Sequence, residues 1–209
     1  WVSIGTGSVT EVGAFIASDP GVGIIHGGWH FPEPPAEKDT KAEGEMDIDG
    51  PLPPLTEANF NEWIQKAKDF LRSLNNPKIN DVLDALRTIR FDPNLNAYGK
   101  FFSLGSLSDN IIVFGPLNIR DGNSEAMDTL LHEGYHALAD KLLLLGSPDR
   151  DGDRLVDSID PNPDIPEPVE FITLPDGEKI QKDPGDVGGP DNCAACIFAG
   201  QNNPLSPPK

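Results

Sequence analysis

Positive charge is what this chain lacks most. Sixteen lysines and arginines stand against 34 aspartates and glutamates, for a formal net charge of -18 at pH 7. Such a surface repels phosphate backbones and anionic headgroups. It excludes nucleic acid and anionic membranes as partners and suits a calcium-rich medium or a cationic partner. Long apolar runs are missing too: none approaches the ~20 residues of a membrane-spanning helix, so no span is expected. Cysteine is limited to Cys193 and Cys196, too few for a disulfide scaffold. Core-forming residues are sparse, at 37% hydrophobic, whereas glycine and proline supply 21 residues each. That balance predicts a sizeable domain with long loops or linkers. The chain opens on Trp1, in what reads as the middle of a strand. It is therefore expected to be a piece of a larger multidomain precursor, so the lack of a visible signal peptide means little.

The organisation follows from punctuation. Residues 1–30 alternate short Val/Ile runs with Gly and Asp-Pro breaks, which reads as a β-rich segment with tight turns. This stretch resembles the closing segment of β-rich modules in large bacterial secreted proteins. Residues 31–56 hold six prolines around the charged run EKDTKAEGEMDID and read as a linker. A domain over 57–175 comes next. Its first helix is capped by Thr56 and carries Phe60, Trp63, Ile64, Ala67, Phe70 and Leu71 at helical spacing. A second runs from about Ile79 to Ile89. The best strand is NIIVFGPLNI, residues 110–119. A long helix then starts at Asn123 or Ser124, runs to about Leu145 and is stopped by Gly146. Residues 176–209 read as a Gly/Pro-rich tail. Within it, CAAC leaves open a disulfide, half a zinc site or two thiols, with the disulfide preferred.

Histidine is scarce as well, and two of the four histidines sit together in DTLLHEGYHALAD, residues 128–140. Residues four apart share one helix face, so His132 and His136 can offer two imidazoles to one metal ion. Glu133 projects beside them and can take the proton of a water that the metal polarises. Leu130, Leu131, Leu138 and Leu142 give the helix an apolar backing, and a strand upstream can pair with an extended substrate. Asp140 lies one turn further along the same face. Three ligands in a line cannot surround a tetrahedral ion, so Asp140 is expected to orient an imidazole or face solvent. His26 and His30 are also four apart, but Gly27 and Gly28 argue against a helix there.

Strand, turn, then TLLHEGYHALAD resembles the zincin metallopeptidases. It is similar in particular to the thermolysin-like gluzincins, where an apolar pair precedes H-E-x-x-H and an alanine follows it. The match covers residues 110–145. The resemblance implies an α+β fold with the active helix beside a small mixed sheet, zinc held by His132 and His136, and Glu133 as general base. It also implies a third ligand, a glutamate on a later element. Glu170, ahead of the strand-like FITL, is favoured over Glu167. The metzincin extension is absent, since ALADKLLL follows His136. Of the two tyrosines, Tyr135 falls roughly opposite the metal face, leaving Tyr98 to stabilise an oxyanion. One departure is Gly134 inside the helix, costing about 1 kcal/mol against alanine. A close backbone approach by a neighbouring element would account for it.

A different metal pattern follows. In DRDGDRLVDSID, residues 149–160, Asp149, Asp151, Asp153, Asp157 and Asp160 take positions 1, 3, 5, 9 and 12 of a twelve-residue loop, with the Leu155 carbonyl at position 7. Converging carboxylates need a hard cation, and many flexible oxygens favour calcium over magnesium. The loop resembles thrombospondin type 3 and dockerin-like calcium repeats, which are extracellular modules. Arg154 replaces the usual glycine of an EF-hand, and Gly152 stands two residues earlier. The combined expectation is a secreted or cell-surface zinc peptidase acting on a protein or peptide and carrying structural calcium. The alternatives are a calcium-stabilised adhesion or spacer module with a degenerate zinc site, and a toxin-type metallopeptidase delivered into another cell.

Overall fold

The computed structural model describes residues 51–106, 109–173, 179–188 and 192–206. The strands expected in 1–30 and the linker up to residue 50 lie outside the described residues. The rest is a mixed α+β arrangement of five helices and a small three-stranded mixed sheet, with a separate two-stranded hairpin.

Helix α1 (Phe60–Ser73) forms where apolar spacing predicts it, with Phe60, Trp63, Ile64, Ala67 and Leu71 buried. Thr56 lies one turn ahead of the helix, exchanging hydrogen bonds with Asn59, which precedes the first helical residue. Helix α2 (Pro77–Ala85) is shorter than expected. Asn110 ends it: its amide donates to the Ala85 carbonyl at 2.9 Å and its side-chain oxygen accepts from Arg87 N–H at 3.0 Å. Ile89, expected on the helix, sits in strand β1 (Thr88–Phe91).

Strands β2 (Gly99–Ser103) and β3 (Asn110–Phe114) complete the sheet in the order β1-β3-β2, so β2 is an edge. β1 runs parallel to β3, and β2 runs antiparallel to it with Phe101 opposite Ile112. The strand expected to reach 119 stops at Phe114, and residues Leu117–Asp121 form the short helix α3. A Cβ at Gly115 would overlap the Ala97 carbonyl, so only glycine fits this crossing.

Helix α4 (Asn123–Leu144) is the axis of the domain, with its residues 129–139 all buried. Its entry differs from expectation. Asn123 does not cap it; the side chain instead accepts from Leu55 N–H and Trp63 Nε1–H and donates to the Leu52 and Pro53 carbonyls. The last residues of the expected linker are thereby fastened to the core, where Leu52 and Leu55 are buried. Gly146 ends the helix at a left-handed φ of 74°, donating to the Leu143 carbonyl. Gly134 meets its expected neighbour: α2 crosses there, and a Cβ would lie 2.5 Å from Val82 Cγ1.

Strands β4 (Phe171–Thr173) and β5 (Lys179–Gln181) form the hairpin. A 3-10 turn at Pro184–Asp186 and helix α5 (Ala194–Asn202) follow. Residues 176–209 were expected as a tail, yet Ala195 and Ala199 are fully buried and Ala199 belongs to the main core. The small side chains of AACIFAG, four apart at these two positions, let α5 lie close against α4. Cys193 and Cys196 are joined as a disulfide at its start. No helix among the described residues is long and apolar enough to cross a membrane.

Candidate metal centre

Burial puts both histidines inside the domain: His132 is 1% exposed and His136 is equally enclosed. Their Nε2 atoms lie 3.3 Å apart, an approach that the four-residue spacing on one helix face allows. Asp186 meets them. Its Oδ1 lies 3.0 Å from His132 Nε2 and 3.0 Å from His136 Nε2, and the carboxylate is 7% exposed. Two imidazole nitrogens and one carboxylate oxygen thus converge on one point, a set able to hold a metal ion.

The 3-10 turn positions Asp186. The Asp183 side chain accepts from Gly185 N–H at 2.9 Å and Asp186 N–H donates to the Asp183 carbonyl, closing the turn. Gly185 presses on His136, where a Cβ would stand 3.0 Å from Cε1. Asp183 Oδ1 itself lies 3.2 Å from His136 Nδ1. On the other flank the alternation of β2 matters. Gly99, Phe101 and Ser103 face α4. Gly99 backs on Glu133 and Thr129, Phe101 stacks on His136 at 6.2 Å between ring centres, and Ser103 Oγ–H donates to Asp140 Oδ1 at 2.7 Å. Asp140 is thus held by the sheet edge and orients neither imidazole through any hydrogen bond among the described residues.

The charges are strongly linked. Burial raises the Asp186 carboxyl, but His136 and His132 pull harder and hold it well below the usual carboxylate range. Burial lowers His136, and Asp186 with Asp183 outweighs it, so the imidazole is held well above its ordinary value. Glu133 is 0% exposed, and neither of its carboxylate oxygens has a hydrogen-bond partner. Burial pushes its carboxyl up to about 7, against the pull of both histidines and with a push from Asp186 and Asp183.

Several expected residues lie elsewhere. Glu170, the expected third ligand, is not brought to the histidines. Its carboxylate is 40% exposed and accepts from Lys182 Nζ at 3.1 Å. Lys182 N–H closes the hairpin on the Glu170 carbonyl, and the returning chain then enters the turn that brings Asp186 to the histidines. Glu167 is tied to the acidic loop, its N–H donating to Asp153 Oδ2 at 2.9 Å. Tyr98 is brought to the entry of α4, not to the histidines; its hydroxyl donates to Asp121 Oδ2 at 2.6 Å. Tyr135 faces away as expected, donating to the Ile159 carbonyl at 2.7 Å. The residue sequence reasoning missed is Asp186. Its signal was the turn DPGD in a stretch set aside as tail.

In the acidic loop, Asp149, Asp151 and Asp153 bring a carboxylate oxygen each within 4.8 Å of one another, a second possible metal group. The expected ligands Asp157 and Asp160 fall outside that group; Arg150 donates to both Asp157 oxygens, through N–H at 2.9 Å and Nε–H at 2.8 Å, and Asp160 Oδ1 accepts from Asn162 N–H at 2.6 Å. The Leu155 side chain is buried beside Tyr135 and Ala139. The Cys193 and Cys196 sulfurs approach a His132 ring nitrogen, but while bonded to each other they are not thiolate ligands.

Comparison with protein-family models, with curated proteins and with solved structures gives no match.

Proposed function

We propose that the chain is a zinc-dependent hydrolase of peptide bonds, built like a zincin around His132, Glu133, His136 and Asp186. The observation that carries this reading is Glu133. An ionisable group without a hydrogen-bond partner, buried beside two metal-competent histidines and facing the partly offsetting charge of buried Lys100, costs stability. It suits a base awaiting a water.

The donor set fits zinc. Two imidazoles and one carboxylate are borderline ligands that zinc accepts, and three protein ligands leave a position open. When bound, zinc supplies a Lewis acid that makes a water acidic and polarises a carbonyl. The chain's own residues do the rest. Glu133 takes the proton of the attacking water and returns it to the leaving amine. A carboxyl raised toward neutrality is suited to both steps. Asp186 holds the imidazoles in register and brings negative charge that a divalent cation offsets. β2 is the sheet edge against the helix and can take an extended peptide by strand pairing. No described tyrosine faces the histidines as an oxyanion donor. The disulfide suits an oxidising compartment, which favours a secreted or surface protein. The all-oxygen donors of the loop at 149–160 suit calcium instead. A calcium-stabilised spacer leaves the buried Glu133 without a role, which places that reading second.

The deciding experiment is elemental mass spectrometry on tag-free protein purified without chelator. About one zinc per chain is expected, kept by Glu133→Gln and Glu170→Gln and lost by Asp186→Asn and His136→Ala. Hydrolysis of a peptide library is expected from the parent chain and not from Glu133→Gln. Zinc retained by Asp186→Asn and lost by Glu170→Gln would restore the gluzincin ligand set. No zinc at all would sink the reading.

A further inference from the structure

We propose that Cys193, Cys196 and His132 are the ligands of a second zinc site, closed while the disulfide stands and opened by its reduction. His132 also belongs to the group with His136 and Asp186, so opening the one site draws the ion from the other.

Three atoms carry the site. One sulfur of each cysteine and one ring nitrogen of His132 all lie within 4.8 Å of one another. Tetrahedral zinc, with Zn–S of about 2.3 Å and Zn–N of about 2.0 Å, needs its ligand atoms roughly 3.5–3.8 Å apart, a spacing within reach of small side-chain rotations. Two cysteines separated by two residues supply half of a zinc site by themselves. The fold adds the rest. Helix α5 packs on α4 through fully buried Ala195 and Ala199, which sets its first turn against His132. Cys193 and His132 are each 1% exposed, so the ligands meet inside the protein.

As a staple the bridge contributes little. Its cysteines are only 3 apart in sequence, and the chain entropy that a crosslink removes grows with the loop it closes. Helix α5 is held by other means: the Asn203 amide donates to the Ser124 carbonyl at 2.9 Å, and the Asn76 amide donates to Asn202 Oδ1 at 3.0 Å. Reduction therefore leaves the helix in place. Cys196 is half-buried and Cys193 fully buried, so a thiolate of an external dithiol attacks Cys196 Sγ. The S–S bond breaks and its electron pair leaves on Cys193 Sγ, which already accepts Cys196 N–H at 3.0 Å at the start of α5. The dithiol's second sulfur then attacks the mixed disulfide and frees Cys196. The dithiol ends as a disulfide and its two electrons rest on the protein's sulfurs. Its two protons pass to those sulfurs or, where zinc takes both thiolates, to solvent.

Zinc is then offered a better set. Thiolates are softer donors than a carboxylate and suit it more closely. A neutral imidazole has one nitrogen able to ligate and one N–H, so His132 serves one ion at a time. The ion moves to the cysteines, and the centre with His136 and Asp186 empties. The cysteine site stands without the hydrolase reading; the exchange between sites rests on it.

The test compares the full metal-free chain with its disulfide intact and after treatment with a phosphine reductant, using zinc alone or cobalt alone. Cobalt in the reduced parent is expected to show the sulfur-to-metal charge-transfer band of thiolate ligation, and in the oxidised parent no such band. Zinc should bind at least ~10-fold tighter after reduction, equivalent to ~1.4 kcal/mol, at about one ion per chain in both states. Asp186→Asn should hold zinc only when reduced. Cys196→Ser should hold it as the oxidised parent does, in either condition and without the band. A thermal melt of the reduced, metal-free parent should keep its cooperative transition. No charge-transfer band after reduction, Asp186→Asn still without metal after reduction, or loss of the melting transition would each overturn the proposal. A second zinc ion in the reduced chain would overturn the exchange. An oxidised parent without zinc beside a reduced parent with zinc and the band would sink the hydrolase reading and uphold the cysteine site; zinc in the oxidised parent with no band on reduction would do the reverse.

Discussion

Gly99→Ala tests how Glu133, the proposed general base, is held. Strand β2 passes so close to α4 that a Cβ at Gly99 would lie 2.5 Å from Glu133 Oε1, 2.7 Å from Glu133 Cγ and 2.7 Å from Thr129 Cγ2. Unstrained heavy-atom contacts need about 3.5 Å, so something moves by roughly 1 Å. Thr129 is buried and its hydroxyl is fixed to Asn118 Oδ1 at 2.8 Å. Glu133 has no hydrogen bond to hold it and gives way first. Overpacking of this kind costs about 1–3 kcal/mol, a tolerable fraction of a total stability of about 5–15 kcal/mol. The chain stays folded. A catalytic group misplaced by ~1 Å costs about 10²-fold in rate. The nearest atoms to the new methyl belong to Glu133 and Thr129, not to the histidines or Asp186, so bound zinc should be unchanged. The assay is therefore threefold: zinc per chain, melting temperature, and kcat/KM on a peptide cleaved by the parent. Retained zinc, a melting point lower by a few degrees and a rate down by about two orders of magnitude is the expected result. Full activity at an unchanged melting temperature would refute the packing of β2 on Glu133. Loss of zinc would show that the strand shapes the ligands rather than the base.

The remaining predictions are shorter. Gly134→Ala places a methyl against fully buried Val82; overpacking of about 1–3 kcal/mol exceeds the ~1 kcal/mol gained in helix propensity. In a Val82→Ala background the same change should become neutral or stabilising by denaturant unfolding, and equal effects in both backgrounds would dismiss the contact. Glu125 has its carboxyl pushed up to about 7, by burial first and then by Asp128 and Asp121. A folded value above the unfolded one means that the native state binds the proton more tightly, so stability falls as pH rises from about 4.5 to about 7. Glu125→Gln should remove that slope and melt higher than the parent at pH 8, with the gap closing toward pH 4.5; an unchanged profile would count against it. Chelator dialysis should abolish peptide hydrolysis, with zinc restoring it and calcium alone failing to do so; recovery on calcium alone would move the chemistry out of the histidine centre.

What could be read from the residues followed local physics. Helix α1 and the apolar backing of α4 came from spacing alone, and Gly134 announced its close neighbour because glycine in a helix interior needs a reason. The pairing of His132 with His136 follows from the helix repeat, so the fold could only confirm it. Boundaries were lost where a distant side chain decided them. Asn110 ends α2 from another strand, and Asn123 was claimed by Leu55 and Trp63 instead of capping its own helix. Nothing near either residue in the chain carries that information.

The proposed third ligand, Asp186, shows the same division more sharply. A rule borrowed from gluzincins asked for a glutamate and so directed attention to Glu170. Zinc itself asks only for a carboxylate oxygen at the right point. Reaching that point from α4 requires the acidic loop, the β4–β5 hairpin and one tight turn. The chain spends residues 149–183 on this path before Asp186 arrives between the imidazoles. Residue type was visible in the sequence and distance was not. Asp183-Pro184-Gly185-Asp186 carried the local signature of a turn, but only the returning hairpin makes that turn face His132 and His136. The acidic loop at one end of this path and the hairpin at the other together set where that one aspartate arrives.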